Sequence, residues 1–236
     1  IVTGGGKDLL FNGVTTDSRS VCHGDLFIAL AGENFDGHDY CETALNKGAA
    51  AVLVQKELPN LPKAAVVIMV PDTLNAYQQI AHAYRMAQKN IKVIAITGSN
   101  GKTSTKDLIA ACLTKKYKVV KTQANFNNEI GLPYTVLHMP QDTEKIVLEM
   151  GQDHMGDIEL LSKIAKPHIS VVTLIGEAHL EFFGSREKIA QGKMQITAGM
   201  NADGILIVPD DPIIDDLLPE NMMVIRFGDE EEISVQ

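Results

Sequence analysis

A glycine-rich run that follows an apolar strand and opens a helix is the part of this sequence best suited to chemistry. The strand is predicted over residues 93–96, and helical spacing resumes over residues 107–116. Glycines allow backbone N–H groups to turn towards phosphate oxygens, and the start of a helix adds the positive end of its dipole. The run departs from the usual G-x-x-x-x-G-K-S/T pattern because Ile96 occupies the position of the first glycine. It predicts a loop that binds the phosphates of ATP or GTP, formed by Gly98, Ser99, Asn100, Gly101, Lys102, Thr103 and Ser104.

Two residues of this loop and one acid elsewhere have defined tasks in such a site. Lys102 would bridge the β- and γ-phosphates, and the hydroxyl of Thr103 would coordinate Mg²⁺. Glu149 ends an apolar strand predicted at residues 146–149, which is the arrangement by which P-loop proteins hold Mg²⁺ beside the phosphates. Strands often end in an acid without binding any metal, so Glu149 alone leaves both interpretations open.

Neither His179 nor Lys193 indicates a catalytic or metal-binding role when it is considered alone. His179 follows a strand predicted at residues 170–174 and stands between Glu177 and Glu181. A lone histidine is more often a structural residue than a ligand. Lys193 falls in a helical stretch at residues 186–198 and, taken alone, is a lysine on a solvated helix face. The residues by themselves therefore indicate a magnesium-nucleotide enzyme or a nucleotide-dependent switch.

Short β-rich runs alternate with helical stretches along the chain, which is typical of an α/β architecture. Early strands at residues 26–30, 51–54 and 66–70 are interleaved with helices at residues 40–47 and, after Asp72 as N-cap, up to residue 89. Later strands are predicted at residues 118–121, 145–149, 170–174, 204–208 and 223–227. Their near-continuous apolar runs fit a mostly parallel sheet that is buried on both faces. We expect a small α/β domain at residues 1–89, followed by a P-loop domain at residues 90–236.

Charge and composition argue against several classes of partner. The formal net charge is −9 and Lys or Arg residues form no block, so nucleic acid and anionic membranes are not expected partners. Residues 1–11 do not resemble a secretory signal, and no apolar stretch is long enough to span a bilayer. Cys22, Cys41 and Cys112 lack the spacing of metal ligands and indicate reduced thiols of a cytoplasmic protein.

Several segments, in matching order over essentially the whole chain, resemble the Mur ligase family. The run at residues 97–104 is similar to that family's form of the ATP loop, which accounts for the missing first glycine. Residues 16–20, 24–30 and 36–38 resemble its uridine-nucleotide domain, and residues 127–133 resemble the segment that contacts the muramoyl substrate. Residues 149–151, 176–181 and 189–193 resemble its metal-site segments. The paired Asn127 and Asn128 favour the branch of the family that joins D-alanyl-D-alanine to a UDP-N-acetylmuramoyl-tripeptide.

The resemblance implies an ATP-dependent, amide-forming ligase of peptidoglycan precursor synthesis that works through an acyl phosphate. It implies ATP and Mg²⁺ as cofactors, with Lys102 on the phosphates and with Thr103 and Glu149 on one Mg²⁺. His179 and a carbamylated Lys193 would hold a second Mg²⁺, since a bare ammonium cannot ligate a cation. The residues implied to bind the UDP-linked substrate are Asp17, Ser18, Arg19, Asn127 and Asn128.

The same resemblance sets expectations about how much of the enzyme is present. Family members carry a longer central domain and a third, C-terminal domain, so we expect this chain to be a fragment that is inactive alone. We also expect a monomer. The alternatives are a sister Mur ligase, a folylpolyglutamate synthase, or a non-catalytic P-loop module that binds a nucleotide. Whether the third residue of the peptide substrate is lysine or diaminopimelate stays open.

Overall fold

Two compact units, residues 1–80 and 81–236, make up the chain. The computed structural model describes residues 2–3, 9–176, 183–228 and 234–235. The division between the units falls within a helix, earlier than the domain boundary that we expected between residues 89 and 90. It does so because the second half of that helix belongs to the later unit: Ala81 lies in its core, and Arg85 Nε donates a 3.0 Å hydrogen bond to the carbonyl of Ala165.

The first unit is built on a five-stranded sheet. Its elements are β1 (Val2–Thr3), β2 (Val14–Thr15), β3 (Leu26–Ile28), α1 (Cys41–Asn46), β4 (Ala51–Val54), β5 (Val67–Met69) and the start of α2 (Thr73–Ala87), with a 3₁₀ turn at Gly37–Tyr40. The strand order is β1-β5-β4-β3-β2, with β2 to β5 parallel and β1 antiparallel to β5. Phe27, Val52 and Val54 pack against Cys41 and Ala44 of α1, so that helix covers an apolar face of the sheet.

A seven-stranded sheet forms the second unit. The elements are β6 (Lys92–Thr97), α3 (Lys102–Leu113), β7 (Val119–Lys121), α4 (Gly131–Leu137), β8 (Lys145–Glu149), α5 (Asp157–Ala165), β9 (Ile169–Val172), α6 (Arg186–Met194), β10 (Ile205–Pro209), β11 (Met223–Phe227) and β12 (Ser234–Val235). The order is β12-β11-β10-β9-β6-β8-β7, and every pair is parallel except β11 with β12. These mostly parallel sheets confirm the predicted α/β fold class.

The strand order places the ends of three neighbouring strands at one edge of the sheet. β6 lies between β8 and β9, and its Ile96 stands opposite Glu149 in the register of β8. The glycine-rich run follows β6 directly and leads into α3. Because open parallel sheets bind ligands at the carboxyl ends of their strands, this edge is where the predicted nucleotide site should lie.

Several predicted elements are confirmed, and some details were wrong or missed. Asp72 caps α2 as predicted, since its Oδ1 accepts a 2.9 Å hydrogen bond from the backbone N–H of Asn75. Helix α3 begins at Lys102, not near residue 107, because Gly101 adopts the left-handed conformation with φ 81° and lets the chain turn at once into the helix. Helices α4 and α5 were not predicted. Over the described residues no helix is long and apolar enough to cross a membrane, and the three cysteines are free thiols.

We predict that Arg85→Ala lowers the free energy of unfolding by about 2 kcal/mol, because it removes charge-assisted hydrogen bonds to carbonyls at the end of α5 and just after α2. The buried guanidinium donates to the carbonyls of Ala165, Gln88 and Lys166 at 3.0, 3.2 and 3.4 Å. Urea denaturation would measure the change. Lys89→Ala removes an exposed charge close by in sequence and should change stability by less than about 0.5 kcal/mol. Equal stability of the two variants would contradict the prediction.

Candidate nucleotide and metal site

The glycine-rich loop is held against the end of β9. The backbone N–H of Ser99 donates to the carbonyl of Leu174 at 2.8 Å, and Thr173 Oγ1 donates to the carbonyl of Asn100 at 2.5 Å. Gly98 has φ 148°, and a Cβ added there would lie 2.0 Å from Thr173 Oγ1. Glycine is therefore required at position 98 both by the backbone conformation and by the close approach of Thr173. Sequence analysis missed Thr173, whose role follows only from the pairing of β9 with β6.

Lys102 begins α3 and turns back over the loop that precedes it. Its Nζ donates to the carbonyl oxygens of Gly98 at 2.7 Å and Ser99 at 3.4 Å. Burial lowers the pKa of Lys102, and the neighbouring negative charge of Glu149 acts in the opposite direction. A cleft of about 440 Å³ opens beside the loop; it is lined by residues 99–104 and by Ala124, Asn125, Asn127 and Glu149. Of the predicted phosphate-binding residues, those from Ser99 to Ser104 thus line one open space.

The buried carboxylate of Glu149 lies at the centre of a group of polar side chains from α3 and from the segment before α4. Thr103 Oγ1 donates to Glu149 Oε2 at 3.0 Å, and Asn127 Nδ2 donates to Glu149 Oε1 at 3.1 Å. The ammonium of Lys106 lies 3.5 Å from Oε2, and the side chains of Lys106 and Glu149 are each only 4% exposed. A hydroxyl and a carboxylate at this spacing are hard oxygen ligands, which suit Mg²⁺ carried in with phosphates. The structure brings Thr103, Glu149 and Asn127 together, as a joint metal and substrate site requires.

Lys106 was missed by the sequence analysis. It lies one helical turn after Lys102 on α3, and this spacing puts both lysines on the same side of the helix. That signal was available, although the burial of Lys106 against an acid on β8 could not be read from spacing alone.

Lys193 is a buried residue of α6 with an exposed fraction of 3%, so the interpretation as a lysine on a solvated helix face does not hold. Its Nζ donates a long hydrogen bond of 3.3 Å to Gln152 Oε1. Burial, with a further contribution from the positive charge of Lys102, lowers the pKa of Lys193 to about 8. A second cavity of about 220 Å³ is lined by both lysines together with Asn127 and Asn128. His179, Glu177 and Glu181 lie outside the described residues.

Asn128 lies beside this cavity but also has a structural task. Its Oδ1 accepts hydrogen bonds from the backbone N–H groups of Gly131 at 2.8 Å and Ile130 at 3.3 Å. These are donors at the start of α4 that would otherwise lack partners. The carbonyl side of Asn128 is therefore occupied by the protein, and its amide N–H groups are the part that could meet a ligand.

In the first unit, Asp17, Ser18 and Arg19 form a tight turn. Arg19 donates through Nε and Nη2 to both carboxylate oxygens of Asp17, at 2.9 and 2.7 Å, and Lys47 Nζ donates to the carbonyl of Ser18 at 3.0 Å. The hydrogen bonds that Asp17 accepts from the side chain of Arg19, and then from its backbone N–H, lower the pKa of Asp17 to about 2. The side chain of Arg19 is nevertheless 88% exposed. Asp17 thus orients a guanidinium that keeps unused donors facing solvent.

Comparisons with known proteins agree with this architecture. A family model for the Mur ligase middle domain matches residues 96–236, and a model for the catalytic domain of the Mur ligase family matches residues 10–85. The chain belongs to the Mur ligase family.

Particular relatives share high similarity with the chain. It is 50% identical over 209 residues to the UDP-N-acetylmuramoyl-tripeptide–D-alanyl-D-alanine ligase of Bacillus subtilis, a match that covers 88% of the chain and 46% of that protein. The ligase of the same name from Escherichia coli is 38% identical over 207 residues, covering 87% and 45%. The chain therefore spans about half the length of the curated relatives it matches.

Solved structures of MurF ligases have a fold similar to that of the chain. The MurF ligase of Thermotoga maritima, determined in complex with ADP, superposes with a TM-score of 0.86 at 35% identity and covers 97% of this chain and 52% of that one. A MurF structure from Acinetobacter baumannii gives a TM-score of 0.85 at 32% identity, with coverage of 92% and 48%.

Lys106→Met should lower the free energy of unfolding by about 3 kcal/mol, because it leaves the carboxylate of Glu149 buried without its cationic partner. Thermal and urea denaturation would measure this loss. The matched control is Lys163→Met, which removes the exposed partner of Glu159 on α5 and should cost less than about 0.5 kcal/mol. If Lys106→Met proved as stable as the control, the ion pair between Lys106 and Glu149 would not stabilise the fold.

Proposed function

We propose that the chain is the nucleotide-binding and UDP-substrate-binding part of a ligase that joins D-alanyl-D-alanine to a UDP-N-acetylmuramoyl-tripeptide. The observation that carries this proposal is the 50% identity over 209 residues to the Bacillus subtilis ligase of that name. The arrangement of the loop, Thr103 and Glu149 around one cleft supports it. We place the protein in the cytoplasm, where ATP and UDP-linked precursors are made.

ATP is the proposed nucleotide, and residues 98–104 are proposed to bind its phosphates. The related enzyme of Thermotoga maritima was determined with ADP bound, which supports this choice. When phosphate enters, the ammonium of Lys102 exchanges the carbonyls of Gly98 and Ser99 for phosphate oxygens. Thr103 and Glu149 would hold Mg²⁺. The cation supplies charge neutralisation to the phosphates during transfer.

The proposed reaction has two steps. The terminal carboxylate of the tripeptide attacks the γ-phosphorus of ATP, so a carboxyl O–P bond forms, the β,γ-bridging P–O bond breaks, and ADP leaves. The amine of D-alanyl-D-alanine then attacks the acyl carbon, the C–N bond forms, inorganic phosphate leaves and the amine loses a proton. Two anions must approach each other in the first step. Lys102 offsets their repulsion and fixes the phosphate, while the loop amides hold it in line.

Lys193 is proposed to carry a carbamate. Its neutral Nζ would attack CO₂, forming an N–C bond while one C=O π pair moves to oxygen and a proton leaves to solvent. The lowered pKa of about 8 supports this proposal, because it increases the fraction of neutral amine near neutral pH. The product would offer anionic oxygens for a second Mg²⁺. His179, the other residue implied for that metal, lies outside the described residues.

The first unit is proposed to hold the UDP end of the substrate through Asp17, Ser18 and Arg19. Arg19 is exposed and oriented by Asp17, so its remaining donors suit a pyrophosphate or uridine oxygen. Asn127 and Asn128 are proposed to lie near the sugar and pyrophosphate of the substrate. A non-catalytic P-loop switch, the alternative from a different functional class, would bind nucleotide without needing a UDP-linked compound.

Titration calorimetry with UDP-N-acetylmuramoyl-tripeptide tests the substrate assignment. The wild-type chain should bind, and Arg19→Ala should bind about tenfold more weakly because it loses charge-assisted hydrogen bonds. Lys63→Ala removes an equal charge from an exposed site of the same unit and should bind like wild type. No heat from a folded chain that binds Mg·ADP would refute the ligase assignment and favour the switch.

Gly98→Ala should weaken binding of Mg·ADP by at least about tenfold, because the new methyl group collides with Thr173 Oγ1 and displaces the loop. Gly156→Ala is a matched control, since Gly156 also has a positive φ, of 99°, but has no atom within 4 Å of the added Cβ. Fluorescence titration with a labelled ADP would compare the three chains. Similar affinities for Gly98→Ala and the control would show that the loop does not bind the nucleotide.

A further inference from the structure

The amide of Gln152 is buried beside Lys193 with half of its hydrogen-bonding capacity unused. Gln152 is 6% exposed, and its Oε1 accepts the hydrogen bond from Lys193 Nζ. An ammonium can only donate, so it meets Oε1 and offers no acceptor to Nε2. Gln152 Nε2 has no hydrogen-bond partner among the described residues. A buried donor without an acceptor is unfavourable, which suggests that an acceptor arrives later.

Gly192 makes the room that this amide occupies. A Cβ added at Gly192 would lie 1.6 Å from Gln152 Nε2, so the amide fills the space where any other residue would place its side chain. Gly192 directly precedes Lys193 in α6, and both are buried. The glycine at position 192 therefore lets the amide of Gln152 pack closely against α6, beside Lys193.

The unmodified ammonium of Lys193 is poorly accommodated at this position. It is 3% exposed and makes one long hydrogen bond of 3.3 Å among the described contacts, although an ammonium has three donors. Lys102, which lines the same cavity, adds a second positive charge that opposes it. An anionic group on Nζ with acceptor oxygens would replace the repulsion from Lys102 by attraction. It would also give Gln152 Nε2 an acceptor.

We propose that Gln152 is the positioning residue that receives a carbamate formed on Lys193. This rests on the proposed function, which assigns that modification. The carbamate forms when Nζ adds to CO₂ and releases one proton. Its N–H and the adjacent oxygen then present a donor beside an acceptor. The amide of Gln152 presents Oε1 beside an Nε2–H, so the two groups are complementary and can form two parallel hydrogen bonds. The existing bond from Nζ to Oε1 is kept.

A simpler role for Gln152 would be to provide an acceptor for the ammonium. The two roles predict opposite effects when both polar atoms are removed. If Gln152 only accepts from the ammonium, its loss would destabilise the ammonium relative to the neutral amine. The amount of carbamate would then stay constant or increase. Without a carbamate receptor the modification would decrease. The sign of the change therefore separates the two roles.

The test measures carbamate directly in the 236-residue chain by ¹³C NMR in sealed samples equilibrated with ¹³C-bicarbonate. The wild-type chain should show a carbamate resonance that Lys193→Arg lacks. Gln152→Met should reduce its intensity about tenfold through the lost hydrogen bonds. Gly192→Ala should reduce it similarly, because the added methyl displaces the amide while leaving Gln152 in the sequence. Gln152→Glu should abolish it, since a carboxylate repels a carbamate and retains the ammonium.

The controls make each outcome decisive. Gln123→Met changes an exposed glutamine of the same unit and should keep the wild-type resonance, and thermal melting shows which variants remain folded. Unchanged or stronger resonance in folded Gln152→Met and Gly192→Ala would overturn the proposal for Gln152 while leaving the carbamate in place. A wild-type chain that binds Mg·ADP and UDP-N-acetylmuramoyl-tripeptide but shows no resonance would overturn both the carbamate and its receptor, and would leave the ligase assignment standing.

Discussion

The buried carboxylate of Glu149 is the interaction on which the arrangement of the second unit's site depends. A carboxylate that is shielded from water needs hydrogen-bond donors or cations from the protein. Its partners come from separate parts of the chain: Thr103 and Lys106 from α3, and Asn127 from the segment before α4. The contacts of this one carboxylate therefore hold in place both α3, which follows the loop, and the segment before α4, which lies across the cleft. A metal ion would meet the Thr103 hydroxyl and the Glu149 carboxylate already side by side.

Positive charge is concentrated around this carboxylate, although the chain as a whole is acidic. Lys106 and Lys193 are buried and Lys102 is partly buried in one region of a chain whose net charge is −9. Burying several ammonium groups together opposes folding, because each loses water and repels its neighbours. Polyanionic ligands would reverse that repulsion. The negative net charge describes the chain as a whole, whereas these three lysines make the local electrostatic potential in the cleft more positive.

The elements around the loop could be predicted because their sequence signals are local. β-Branched runs identified β6, β8 and β9, and the glycines and Lys102 located the loop. Helix α4 was missed because Pro133 and β-branched residues give it low helix propensity. The side chain of Asn128 accepts hydrogen bonds from backbone N–H groups at its start. Helix α5 has apolar spacing at Ile158, Leu161 and Ile164, but it is short and follows a glycine turn. The contacts of Lys106, Thr173 and Gln152 depend on how distant strands are paired, which no local pattern contains.

The close packing of Gly98 against Thr173 has a consequence for how this loop can diversify. A side chain at position 98 would need two changes at once: the Thr173 hydroxyl would have to be removed, and the backbone at position 98 would have to leave its positive φ of 148°. Substitutions at them should be correlated across related sequences, with glycine persisting at position 98 wherever φ stays positive. A laboratory library that randomised the loop alone would consist mostly of chains in which the loop and β9 no longer fit. Randomising position 173 together with the loop would recover part of that lost sequence space.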